Sequence, residues 1–311
     1  MKPALVVVGS LNMDFVARVD RLPAPGETVL GWDFKMIPGG KGANQACAAG
    51  KLGSVAVRMI GRVGYDVFAD HLKASLSAAG VDVTFVHSTR AQSTGVALIW
   101  VDRQGQNSIV VASGANGALA AADVDAMRKT FRGASMALFQ LETPLDTVEA
   151  ALALARQEGV MTMLDPAPAQ SLPATLLAQV DILTPNESEA LLLCGHPAAR
   201  VTMAEAPALA AALRRLGPRT VILKLGDQGC LLLDGRGPRR FPAFPVEVRD
   251  TTAAGDTFNA ALAVALAEGQ PMDEAIPFAN AAAAISVTRL GAQASAPSRA
   301  EVEALLRKAG S

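Results

Sequence analysis

Short β-branched runs recur along the chain at intervals too long for hairpins, and most intervals hold a segment of helical periodicity. Strands are expected at 4–8, 55–60, 136–140, 160–164, 181–184 and 220–225, with helices near 42–52, 66–79, 123–131, 144–158, 186–194 and 204–216. Phe68, Leu72 and Leu76 form one helical stripe, and Gly80, Gly159 and Gly217 stand where their helices should end. Alternation of this kind predicts an α/β fold: a mostly parallel sheet covered by helices on both faces, binding its ligand beyond the carboxyl ends of the strands.

Two stretches break the rhythm. Residues 14–36 and 81–112 carry strand-like runs (Phe15–Val19, Thr28–Phe34, Thr94–Val101, Ser108–Ala112) with turns and no helical period. They predict a small antiparallel sheet standing over the binding edge, or else a hairpin extension of the main sheet. From about residue 250 the chain reads as mostly helical. With no repeat or linker, residues 1–311 are expected to form one domain.

Composition narrows the function. A net charge of −1, from 28 basic and 29 acidic residues, argues against nucleic-acid or anionic-membrane partners. Cys47, Cys194 and Cys230 form no CxxC, and His71, His87 and His196 have no metal-ligand spacing. The apolar run Ala4–Val8 is short for a signal segment, and no run reaches membrane-spanning length. The expectation is a soluble, cytoplasmic protein.

After the first strand the chain reads Gly9-Ser-Leu-Asn-Met-Asp, which is not a dinucleotide fingerprint, and Gly40-Lys41 is followed by Gly42, which is not a Walker A loop. What stands out is Asp250-Thr-Thr-Ala-Ala-Gly255-Asp256 leading into a long apolar helical run. Ala254, Gly255 and Asp256 should then lie at a helix N-terminus, where free N–H groups and the helix dipole favour an anion such as a phosphoryl group in transfer. An acid there commonly only complements the dipole. Behind Gly255, which lets substrate approach the backbone, Asp256 is placed to accept a hydroxyl proton. Gly39-Gly-Lys41-Gly-Ala-Asn44 opens a second helix with two polar donors, although a plain tight turn would also use the glycines. Asn12 and Asp14 follow a strand end and suit adjacent sugar hydroxyls, or serve as turn formers.

On these clusters the chain resembles the ribokinase-like carbohydrate kinases over its whole length. The glycine-rich signature is met at Gly39–Ala46 and the C-terminal signature at Asp250–Ala261. Further matches are Pro25-Gly-Glu-Thr28, Thr94-Gly-Val, Gln140-Leu-Glu142, Asp165-Pro-Ala-Pro-Ala169, Thr184-Pro-Asn-Glu-Ser-Glu189, Leu225-Gly-Asp-Gln-Gly229 and Arg289-Leu-Gly-Ala-Gln. The resemblance implies an ATP-dependent kinase whose sugar-contacting set is Asn12, Asp14, Gly40, Lys41, Asn44, Glu142 and Asp256, with Asp256 as base. It implies an anion hole at Ala253, Ala254 and Gly255. It places ATP on Asn186, Lys224, Gly226, Asp227, Gly229, Gly255 and Asn280. Glu189 would organise Mg²⁺, through water. Asp250, Thr252, Ser286, Arg289, Gly291 and Ser295 would surround a monovalent cation such as K⁺, unless the Arg289 guanidinium pairs with Asp250 in its stead. The two strand-rich stretches would form a lid that pairs with a second lid in a homodimer.

Asn280 stands where many members of the family carry His, Met13 separates the two sugar-reading residues, and Ala69 replaces a usual Gly. Ribose, phosphorylated at its 5-hydroxyl, is the expected acceptor, since Asn12 suits a hydroxyl that an analogue would lack. A sibling kinase for deoxyribose, fructose or a keto-sugar is the alternative. A nucleoside kinase would be expected to line its site with aromatics, yet none of the 10 Phe, 2 Trp and 1 Tyr falls in the sugar motifs. A silent sugar- or nucleotide-binding regulator would need a lost base or anion hole.

Overall fold

The first strand is apolar at every position, and a strand of that kind needs cover on both faces. In the computed structural model, which describes residues 3–309, β1 (Ala4–Val8) is wholly buried. Leu5 and Val7 enter one core while Val6 and Val8 enter another. The chain then leaves the main body as β2 (Asn12–Val19) and β3 (Gly31–Gly39) and re-enters it as α1 (Lys41–Leu52), β4 (Ala56–Val63) and α2 (Val67–Ala78). Asp66 caps α2 by accepting from Ala69 N. Short strands β5 (Val81–Asp82) and β6 (Val86–Ser88) follow, then β7 (Gly95–Val101) and β8 (Asn107–Ala112).

The second half alternates as expected. It contains α3 (Ala121–Ala126), β9 (Met136–Phe139), α4 (Leu145–Gln157), β10 (Met161–Leu164), α5 (Ala174–Leu177), β11 (Ile182–Leu183), α6 (Glu187–Leu193), α7 (Ala206–Arg215) and β12 (Thr220–Lys224). A hairpin that the period-based reading does not include, β13 (Cys230–Asp234) and β14 (Gly237–Phe241), closes the sheet around a two-residue Gly235-Arg236 turn. The chain ends in α8 (Ala254–Ala267), α9 (Met272–Ser286) and α10 (Arg299–Ala309).

The main sheet runs β14-β13-β12-β11-β10-β9-β1-β4-β5, with β6 also paired to β4. Its pairings are parallel except those made by β13. Helices α1, α2, α8 and α9 contribute to the first core, and α3, α4 and α7 to the second. The strand order reverses at β1, which has β4 on one side and β9 on the other, so the crevice for a ligand lies there.

The small sheet is separate, in the order β3-β2-β7-β8, so it is not a hairpin extension of the main sheet. Two expectations are corrected. The sheet is mixed, because β2 and β7 pair in parallel from Asn12↔Gly95 onward. Both strands start at the crevice and run outward, which forces the same direction. Residues 81–88 do not join it: Val81 and Val86 are buried in the first core, and their strands extend the main sheet. The strand expected at Thr28–Phe34 also starts later, at Gly31. Of the single domain expected over 1–311, residues 1–2 and 310–311 lie outside the described residues.

Candidate active site

Loops following β1 and β9 and the start of β2 meet at the reversal point. Asn12 and Asp14 open β2, and both are buried. Asn116, in the turn after β8, donates to Asn12 Oδ1 at 2.7 Å and also pairs with Leu11 N and Leu11 O. The Asn12 amide is thereby oriented with its nitrogen left for another partner. Glu142, after β9, accepts from Ser10 Oγ at 2.5 Å and from Lys41 N at 3.1 Å. Gly40, the residue before α1, has φ +88°, and a Cβ there would stand 2.7 Å from Asn12 N. Only glycine supports that backbone and that approach of the two turns.

Asp14 accepts no hydrogen bond from the described residues, and a Cβ on Gly39 would lie 2.1 Å from its Oδ2. Burial first, then the nearby Glu142 and Asp256 carboxylates, push its carboxyl up to about 7. Lys41 also makes no ion pair with a described residue, yet it faces Asp256, Asp165, Glu142 and Glu189. Burial works to lower its ammonium, and the four carboxylates outweigh that and raise it.

Asp256 lies in the first turn of α8, as expected, and is buried. Its Oδ2 accepts from Asn44 Nδ2 at 3.0 Å and its Oδ1 from Gln45 Nε2 at 3.1 Å. Asn44 Oδ1 is buried without a partner beside it. Burial raises the Asp256 carboxyl against the pull of Lys41, with Asp165 adding to the rise. Ala253, which precedes α8, is the one non-glycine described residue with positive φ, at 58°. That conformation costs roughly 1–2 kcal/mol and is held at the mouth of the site. At the positions expected to form the anion hole, Ala254 N–H donates to Thr251 O at 3.3 Å, while Gly255 and Asp256 N–H have no partner among the described residues.

A cavity of about 960 Å³ runs from Lys41 and Asp256 past Lys224, Asn186, Glu189, Gly226, Asp227, Gly229 and Asn280. All the residues expected to hold ATP line it, with apolar walls from Phe244, Val246, Phe258 and Val287. Lys224 Nζ donates to Asp165 Oδ1 at 3.0 Å. Asn186 and Glu189 form a reciprocal capping box at the start of α6, so both Glu189 oxygens are already engaged. Asn280 is spent on the protein as well: its Nδ2 donates to Pro242 O at 3.0 Å and its Oδ1 accepts from Cys230 Sγ at 3.9 Å. Asp227 is exposed and faces Arg200 at 3.6 Å. A second cavity of about 450 Å³ lies away from these groups, around Arg156, Asp181 and Arg219.

Next to the α8 start, Asp250 accepts from Thr252 N at 2.9 Å, Thr252 Oγ1 at 2.6 Å and Gly291 N at 2.8 Å. Ser286 and Ser295 are buried and donate to Ala283 O and Ala292 O. Arg289 pairs with Glu301, not with Asp250. The loop therefore offers neutral and anionic oxygens, and Arg289 does not compete for Asp250.

The sequence reading omitted Gln45, Gln140, Asp165, Ser10 and Asn116 as site residues. Gln140 and Asp165 had a legible signal, being lone polar residues directly after the strand ends of β9 and β10. Asn116 had none, since a Gly-Ala-Asn-Gly stretch reads as an ordinary turn.

The profile of the pfkB family carbohydrate kinases matches residues 2–299. The chain is similar to the ribokinase of Haemophilus influenzae, at 42% identity over 99% of this chain and 100% of that protein. It is similar to the ribokinase of Bacillus subtilis, at 41% over 97% and 99%. The structure of Arabidopsis thaliana ribokinase complexed with ribose and ATP superposes with a TM-score of 0.92, at 36% identity and 99% coverage of each chain. A deoxyribokinase of Salmonella typhi is 35% identical over 94% of this chain and 95% of that protein.

Asp14 should titrate near pH 7 in carboxyl NMR of the ligand-free protein, and Glu142→Gln should lower that value. A folded-state pKa above the unfolded one gives stability that is present at low pH and lost as pH rises through about 7. Asp14→Asn should accordingly raise the melting temperature more at pH 8 than at pH 5.

Proposed function

The chain belongs to the pfkB family of carbohydrate kinases, and on that premise we propose that it transfers the γ-phosphoryl group of ATP to the 5-hydroxyl of D-ribose. The observation that carries the reading is the buried Asp256 carboxylate at the start of α8, directly beside unpaired helix N–H groups and at one end of a cavity large enough for a nucleotide. In this reading the sugar lies against Asn12, Asp14, Gly40, Lys41, Asn44 and Glu142, with hydroxyls donating to Asp14 and Glu142 and accepting from Lys41. Asp256 accepts the proton of the attacking hydroxyl as its oxygen bonds to phosphorus, and ADP leaves. The N–H groups of Gly255 and Asp256 face the transferring oxygens, and Lys41 and Lys224 offset their charge.

Asp256→Asn should leave sugar and ATP binding nearly intact while lowering kcat by ~10²-fold or more. Near wild-type turnover would remove Asp256 as base. In the same assay a panel of pentoses and hexoses should show ribose ahead of 2-deoxyribose by ~10²-fold or more in kcat/KM, since a site built for a hydroxyl is left unpaired by its loss. Equal use of both would favour the second reading, a sibling kinase, which the similarity to a deoxyribokinase keeps in view.

Two ions fit the donor sets. Both Glu189 oxygens are held by Asn186, so Mg²⁺ would meet Glu189 through water and take its direct oxygens from the phosphates. Among the described residues no cluster of three His, Cys, Asp or Glu forms a protein cage. The Asp250 loop and the Ser286–Ser295 segment suit a monovalent cation, whose effect would be to stiffen the turn that presents the α8 N–H groups. Replacing sodium by potassium at constant ionic strength should raise kcat severalfold, and Asp250→Ala should abolish the response. Identical rates in both salts would show that no such ion acts here.

The outer face of the small sheet supports a homodimer. Phe34 and Met36 of β3 share one face with Leu98 of β7 and Val110 of β8, all four exposed. The exposed Trp32 stands next to them at the bulge opposite Arg18 and Val19, while Ile109 and Val111 are exposed on the other face. A contiguous apolar surface of this kind marks an interaction site. Sedimentation at micromolar concentration should show a dimer that Trp32→Glu converts to monomer. A monomeric wild type would count against it. A cytoplasmic location accompanies this reading. No described helix is long and apolar enough to cross a membrane, and the three free cysteines suit a reducing compartment, which cell fractionation would check.

A further inference from the structure

Gln45 donates from one nitrogen to two carboxylates: Nε2 lies 3.1 Å from Asp256 Oδ1 and 3.1 Å from Asp165 Oδ2. Its orientation is set from behind, where Gln140 Nε2 donates to Gln45 Oε1 at 2.8 Å. All four side chains are buried. The reversed amide would aim a carbonyl oxygen at two carboxylates and leave Gln140 Nε2 facing another donor, so only one orientation is tolerable. Through Asp165 the connection continues to Lys224, whose Nζ stands 3.3 Å from where a Cβ on Gly255 would lie. The proposed proton acceptor and the cation on the nucleotide side are thus two ends of one bonded series, Asp256–Gln45–Asp165–Lys224. Gln45 itself does not line the cavity, so it acts only through its partners.

Resting on the phosphoryl-transfer reading above, we propose that Gln45 is a positioning residue that fixes the Asp256 carboxylate relative to Lys224, holding the proton acceptor and the phosphate-facing ammonium in one geometry. A neutral amide suits the task. An ammonium or guanidinium in its place would form an ion pair with Asp256 and weaken it as a base, and a carboxyl would add a third negative charge. With Asn44 on Oδ2 and Gln45 on Oδ1, each Asp256 oxygen keeps a lone pair for the sugar hydroxyl. Burial raises the Asp256 carboxyl, and the hydrogen bonds from Asn44 and Gln45 join Lys41 in pulling it back. Loss of one donor therefore moves it up.

The test compares full-length wild type with Gln45→Met, similar in length but without a donor, in kcat and KM for sugar and ATP across pH 5 to 9. The expected result is a fall in kcat of roughly 10- to 100-fold, the scale of small misplacements at a reacting centre. Both KM values should stay within about threefold, and the acid limb of kcat should move to higher pH. Gln45→Met added to Asp256→Asn should lower kcat little further, because the group it positions is already gone. If the Met variant is too unstable to assay, Gln140→Leu releases Gln45 Oε1 without touching either carboxylate, and should move kcat and the acid limb the same way with smaller amplitude. An unmoved acid limb with kcat near wild type overturns the proposal, as does a loss confined to KM or to melting temperature. The wild type is assayed with whichever sugar it turns over, so failure of ribose alone changes the substrate reading and leaves this comparison intact. Absence of any sugar kinase activity would overturn both.

Discussion

Close packing of two small-residue helices is the constraint on which the site depends. α1 turns Ala43, Ala46 and Ala49 inward, and α8 is lined with Ala260, Ala261, Ala263 and Ala265, all buried in the same core. Larger side chains would hold the helices further apart, since interaxial distance follows the size of the residues at the contact. At this separation the polar residues of the first turns of α1, Asn44 and Gln45, reach the carboxylate in the first turn of α8. Both helices also start at the same place, so two positive dipole ends converge where an anion would be handled. The first N–H groups of α1 are taken by Glu142 and Ser10, while Gly255 and Asp256 of α8 keep theirs.

Charge is concentrated at that meeting point. Asp256, Asp165, Glu142 and Glu189 surround Lys41, Asp14 lies near Glu142 and Asp256, and burial penalises the charged forms of Asp14, Lys41, Glu189 and Asp256. The protein meets part of this with neutral donors: Asn44 and Gln45 on Asp256, Ser10 on Glu142, Asn186 on Glu189. Asp14 is left without one, and its raised carboxyl marks where incoming hydroxyls have most to offer. Groups left unpaired around a crevice are characteristic of a binding site rather than of a structural ion-pair network.

The small sheet follows from the same geometry. β2 continues almost directly from β1, so its first residues, Asn12 and Asp14, stand over the crevice, and everything beyond them must project from the main body. Its inner end packs on the first core through Phe15 and Val96, while β3 and β8 keep apolar side chains exposed. A sheet built partly on the core and partly outside it can carry sugar-facing residues and an association surface at once.

The alternation of apolar runs and helical periods was enough to determine the layered α/β architecture, because a strand apolar on both faces has few ways to be covered. The glycine-rich turn and the Ala-Ala-Gly-Asp helix start were legible for a local reason: conformation and polarity near a helix N-terminus are set by adjacent residues. What the sequence could not determine depends on distance through space. The parallel β2–β7 pairing, the transfer of residues 81–88 to the main sheet and the β13–β14 edge are choices among partners far apart in the chain. The pairing of Arg289 with Glu301, the return of Ala254 N–H to Thr251 and the grip of Gln45 on Asp256 and Asp165 are of the same kind. Gln45 reads in sequence as one more polar residue in a helix. Only the approach of α8, more than two hundred positions away, gives its amide two carboxylates to hold, because hydrogen-bond partners are selected by tertiary packing rather than by neighbours along the chain.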